Sequence, residues 1–180
     1  MSVIDEVLAA NEIYARTHEL RKLTPRPERK LAVLTCMDTR LEIAHIVGIE
    51  RGDAHIIRNA GGLVTDDAIR SLSISQRLLG TEEVIVIMHE GCGLQGSSEE
   101  DLAIALAANG PLPTWRIGAF EDLEKTLEHG LSLLRSSEHL SFRDSIRGLV
   151  FDPESGTLRE VGTSDPLADA ADTEPGDGPR

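Results

Sequence analysis

Three residues of this chain carry donor atoms suited to one borderline-soft divalent ion: Cys36, His89 and Cys92. The run His89-Glu90-Gly91-Cys92 sets an imidazole and a thiol three positions apart, and Gly91 and Gly93 let the turn between them fold tightly. Cys36 supplies the third ligand. Two thiolates and one imidazole match zinc, and three protein ligands leave a fourth tetrahedral position for water or substrate, as catalytic zinc requires. Because two thiolates offset the charge of the ion, its bound water is activated less than in an all-histidine site and needs help with its proton. Asp38 and Arg40 are the candidates for that help, in the run Cys36-Met37-Asp38-Thr39-Arg40. On an extended segment alternate residues share a side, so all three would face one pocket. There a carboxylate accepts a hydrogen bond from the zinc-bound hydroxide, and an arginine holds that carboxylate ionised through a bidentate pair.

Singly, each motif has a plainer meaning. A free cysteine is often a small buried hydrophobe, and an Asp and Arg two apart are often a surface pair. The elements that must position these residues decide between the two. LAVLT at 31–35 and VIVIM at 84–88 are short β-branched or apolar runs compatible with buried strands. Cys36 directly follows the first and His89 the second. Around them the chain alternates. Helices are expected over 2–17, 41–47, 66–80, about 98–108 and 120–134, with further strands at 54–57, 146–151 and 157–161. Such alternation predicts an α/β fold with a mainly parallel central β-sheet flanked by helices, closed by a C-terminal hairpin and preceded by a projecting amphipathic N-terminal helix. Sites in parallel sheets form beyond the carboxyl ends of the strands, where both motifs sit.

A single domain over 1–162 is expected, with 1–17 as an arm and 163–180 as an acidic, disordered tail poor in large apolar residues. Acidic residues outnumber basic ones 31 to 18, a formal net charge of −13, which repels phosphate backbones and anionic lipid. One Trp, one Tyr and three Phe, scattered along the chain, form no base-stacking platform. No run approaches the roughly 20 apolar residues of a membrane span, and the N-terminus lacks a basic signal region. Nucleic acid and membrane are thus excluded as partners, and the cytoplasm is expected, where a distant cysteine pair serves metal or catalysis rather than a disulfide. His18, His45, His55, His129 and His139 are read as surface or structural histidines. Asn59-Ala60-Gly61-Gly62 lacks the GxGxxG spacing of a nucleotide loop and is read as a close backbone approach beside the metal.

In order, CMDTR at 36–40, RNAGG at 58–62, the run 65–89 and HEGCG at 89–93 resemble the β-carbonic anhydrases, above all their short bacterial and archaeal branch. The resemblance spans about residues 28–162. It implies one Zn²⁺ per subunit on Cys36, His89 and Cys92, with Asp38 and Arg40 as catalytic dyad. It further implies reversible hydration of CO₂ to bicarbonate and a homodimer or higher homo-oligomer whose N-terminal helix embraces its partner. In a closed form of the family Asp38 would itself join the metal. Met88 before His89, and Leu94-Gln95 after Gly93, depart from the pattern at the pocket edge and bear on substrate preference. Carbonyl sulfide or carbon disulfide hydrolysis at the same zinc is the alternative activity, and a non-catalytic zinc- or bicarbonate-binding protein the alternative to an enzyme.

Overall fold

The structure, a computed structural model, describes residues 2–18 and 23–161; the expected acidic tail at 163–180 lies outside the described residues. Five strands form one sheet: β1 (Leu31–Cys36), β2 (Ala54–Asn59), β3 (Glu83–His89), β4 (Ile146–Phe151) and β5 (Leu158–Glu160). Their order is β2-β1-β3-β4-β5, parallel throughout except for the antiparallel β4–β5 hairpin. Parallel strands in the middle of a sheet are covered on both faces, which is why β1 and β3 read as nearly unbroken apolar runs. Ala32, Val33, Leu34 and Ile87 are fully buried.

The helices are α1 (Val3–Thr17), the single turn α2 (Ile43–Ile46), α3 (Asp66–Arg77), α4 (Glu99–Ala107) and α5 (Leu123–Ser136). Thr65, Ser98 and Asp122 cap the N-termini of α3, α4 and α5 through their side-chain oxygens, and Ser2 and Asp5 close a capping box on α1. In α5, Leu127, Leu131 and Leu134 recur at helical spacing, lie buried and pack the helix on β3 and β4. Each such leucine contributes about 2 kcal/mol by leaving water. Gln76 of α3, also buried, receives the Ser141 and Phe142 amides on its side-chain oxygen and donates to the Phe142 carbonyl, tying the loop before β4 to the helix.

Several expected bounds shift. The helix at 41–47 shrinks to α2, and the strand at 54–57 runs on to Asn59, which brings Arg58 into the ladder opposite Thr35. The helix expected from Phe120 starts at Leu123, because Phe120 pairs instead with the loop after Cys92. Its amide donates to the Leu94 carbonyl and its carbonyl accepts from Gly96. The apolar side of α1 is solvent-facing: Val3, Ile4, Val7 and Leu8 are all more than half exposed. Among the described residues no helix is long and apolar enough to cross a membrane.

Candidate metal centre

β1 and β3 run side by side and deliver Cys36 and His89 as their last residues. Thr35 fixes their relative height, since its buried hydroxyl donates to the Ile87 carbonyl at 3.0 Å. The turn after β3 returns Cys92 to the same point. One ligand atom from each of Cys36, His89 and Cys92 lies within 4.8 Å of the others, and all three residues are buried. Both cysteines are free thiols. Gly62 explains how a third segment reaches this point. Its φ is +67°, and a Cβ there would sit 3.0 Å from both the Cys36 nitrogen and the Ile87 oxygen, so only glycine fits. The close backbone approach expected of the Asn59–Gly62 turn is therefore seen at Gly62.

The imidazole is set for a metal. His89 Nδ1 lies 2.9 Å from the Glu90 carbonyl oxygen, which can only accept, so Nδ1 is the donor there, and in the neutral ring the lone pair falls on Nε2. That Nε2 is buried and finds no hydrogen-bond partner among the described residues. An orphaned buried acceptor costs free energy unless something else fills it, and a divalent cation between it and two sulfurs does so. Burial pushes the Cys92 thiol up; the Leu94 amide works against this, and the nearby Cys36 adds to it. A bound cation would reverse that balance and hold both sulfurs as thiolates. The donor set fits zinc.

Asp38 lies at the edge of this group, with Oδ2 3.8 Å from His89 Nε2. Strand alternation does not place it there, as β1 ends at Cys36 and a turn follows. Arg40 instead folds back on the carboxylate: its Nε donates to Oδ1 at 3.0 Å, its Nη2 to Oδ2 at 2.8 Å and its main-chain amide to Oδ1 at 2.9 Å. The paired guanidinium, then the amide, hold the Asp38 carboxyl well below the usual carboxylate range, and burial opposes them only in part. Arg40 Nη2 also donates to the Gly91 carbonyl at 3.0 Å, so the dyad is tied to the turn that carries Cys92. All five residues picked out from the sequence meet in one place.

Two neighbours were not foreseen as site residues. Arg58 bonds the Cys36 and Asp38 carbonyls, and the Asn59 side chain both donates to and accepts from Leu63, wrapping the turn 60–62. The visible signal was a cation and an amide just before two glycines; their partners are long-range. Leu63 and Leu94 both approach Gly61 and form an aliphatic wall next to this turn. His55 takes no part, its ring nitrogens being matched to Ser75 Oγ and the Pro25 carbonyl.

Comparison with known proteins agrees with this arrangement. A profile of the carbonic anhydrase family matches residues 31–131. Beta-carbonic anhydrase 1 of Mycobacterium tuberculosis is 40% identical over 162 residues, covering 89% of this chain and 99% of that protein. Carbon disulfide hydrolase of Acidianus sp. is 36% identical over 183 residues, covering 87% and 88% respectively. The solved structure of carbonic anhydrase from Streptococcus mutans superposes with a TM-score of 0.83 at 37% identity, covering 90% of this chain and 99% of that one.

Proposed function

The chain belongs to the β-carbonic anhydrase family, and from that premise we propose that it catalyses the reversible hydration of carbon dioxide to bicarbonate with Cys36, His89 and Cys92 holding its zinc. The observation that carries this is the ionised Asp38 carboxylate, gripped by Arg40 and 3.8 Å from the free nitrogen of His89. Zinc, when bound, supplies the Lewis acidity that lets water lose a proton near neutral pH. Asp38 accepts a hydrogen bond from the reacting water and so aims its lone pair. Arg40 keeps Asp38 charged and fixes its plane. Cys36 and Cys92, as two thiolates, would offset the charge of a bound cation.

A second substrate class has support in the relatives named as carbon disulfide hydrolases. Side-by-side turnover of CO₂, carbonyl sulfide and carbon disulfide by zinc-loaded protein separates the two. We expect CO₂ to give the highest kcat/KM; a much higher value on either sulfur compound would replace the reading.

The protein works as a homodimer or higher homo-oligomer in this proposal, with a second copy covering the exposed Val3, Ile4, Val7 and Leu8 of α1. Light scattering at twice the chain mass or a higher multiple is expected, and a monomer at working concentrations would refute it. Buried free thiols at the metal suit a reducing compartment, so the cytoplasm is proposed as its place; fractionation of the native host checks this.

A further inference from the structure

Arg58 grips the main chain that carries both the first sulfur ligand and the dyad acid. It stands on β2 opposite Thr35, and its guanidinium reaches over the end of β1. There Nε donates to the Cys36 carbonyl at 3.0 Å and Nη2 to the Asp38 carbonyl at 2.6 Å. Between these two, the Met37 amide donates to the Asn59 carbonyl at 2.8 Å. One dipeptide of the edge strand thus secures three successive residues just where the β1 ladder stops. The side-chain grip on Asp38 is different in kind. Arg40 is two residues away and would travel with Asp38 if the segment tilted. Among the described residues its one bond outside the segment, to the Gly91 carbonyl, is a single point of reference. Arg58 refers the segment to the sheet itself.

We propose that Arg58 is a positioning residue for catalysis: by fixing the Cys36–Asp38 main chain, it sets where the Asp38 carboxylate stands relative to the metal ligands, without touching metal or substrate. The role calls for an arginine, because two carbonyls must be met at once by separate nitrogens of one rigid fork; a lysine offers one point. Among the described residues no carboxylate pairs with Arg58, so its guanidinium serves these carbonyls. This inference rests on the hydration reading above. If it holds, turnover depends on Arg58 while substrate binding and metal retention do not.

The test compares wild type, Arg58→Gln and Arg58→Lys, all zinc-loaded. Zinc content, thermal melting, amide exchange at Met37 and stopped-flow CO₂ hydration are read on the same samples. For the Gln variant we expect zinc near one per chain, a cooperative melt, lost protection at Met37, and kcat down about 100-fold, the scale of an ångström-sized misplacement, with KM within about 2-fold. The Lys variant should recover little, staying about 10-fold or more below wild type. Should the Gln variant not fold, the Lys variant decides. Wild-type kcat in the Gln variant, full rescue by lysine, or activity falling only in step with zinc would each overturn the proposal. A wild type that holds zinc and hydrates no CO₂ would instead sink the parent reading, and protection at Met37 would still report whether the clamp exists.

Discussion

The centre of the sheet and the excursion from 97 to 119 are held in place by opposite means. At the centre, Cys36 and His89 end buried strands, Thr35 bonds across to Ile87 on the neighbouring strand, and a Cβ on Gly62 would press on the Cys36 and Ile87 backbones. Position there is over-determined by packing, so a ligand cannot move without moving the core. By contrast, α4 buries none of its residues and leaves Ile104 and Leu106 exposed. It is joined to the loop before α5 through one carboxylate: Glu99 receives the amides of Ile117, Gly118 and Ala119 at 3.0, 2.7 and 2.9 Å. Chemistry is sited where hydrophobic burial leaves no freedom, while the periphery hangs on polar latches that can open locally.

The largest effect that sharpens this contrast is expected at the metal. Cys36→Ser should lose zinc and CO₂ hydration together, as a hydroxyl is a poor ligand where a thiolate was. Metal analysis beside stopped-flow assay checks it, and a variant keeping both would show that Cys36 is no ligand. Next come two glycines with alike backbones and unlike surroundings. Gly62 and Gly96 both have positive φ, at +67° and +78°, yet a Cβ on Gly96 would meet nothing within 4 Å. Gly96→Ala should cost only left-handed strain, about 1 kcal/mol. Gly62→Ala adds a clash with two strand backbones, for a total of about 3 kcal/mol or more, and should also weaken zinc retention. Urea melts of the pair measure the difference, and equal losses would mean that the centre is no tighter than the rim.

The smallest effect belongs to the latch. Glu99→Gln should lower amide protection at residues 117–119 and leave zinc content alone. Burial pushes the Glu99 carboxyl up, but the three amides, helped by Arg116, outweigh it, so its folded pKa lies below the usual glutamate value. A lowered acid stabilises fully above its unfolded pKa of about 4.3 and loses that contribution as pH falls through the folded value. The gap in protection between wild type and variant is therefore widest near neutrality and closes in acid. A gap that widened on acidification would reverse the assignment.

Much of this was legible beforehand because it is written in local pattern. LAVLT, apart from its closing Thr35, and VIVIM are apolar runs, as central parallel strands are, and the motif residues stand at their ends. Thr65 before two aspartates marks a helix start by the same chemistry that the structure uses. What escaped were features set by distant partners. Phe120 looked helical by spacing, but a pairing with Leu94 and Gly96 outweighed local preference. Arg58 stood out only as part of the RNAGG run, with no role assigned, since the carbonyls it bonds lie about 20 residues upstream.

By itself, then, the sequence determined the donor atoms, the acid and base beside them and the α/β scaffold, because residue chemistry and the period of apolar residues are properties of short segments. Only the folded chain decided that Asp38 faces the centre through a turn rather than strand alternation, that His89 keeps its lone pair on Nε2, and that Gly62 and Arg58 brace the end of β1. These are matters of who meets whom across the sheet. They follow from parallel register and close packing, which no window along the chain contains.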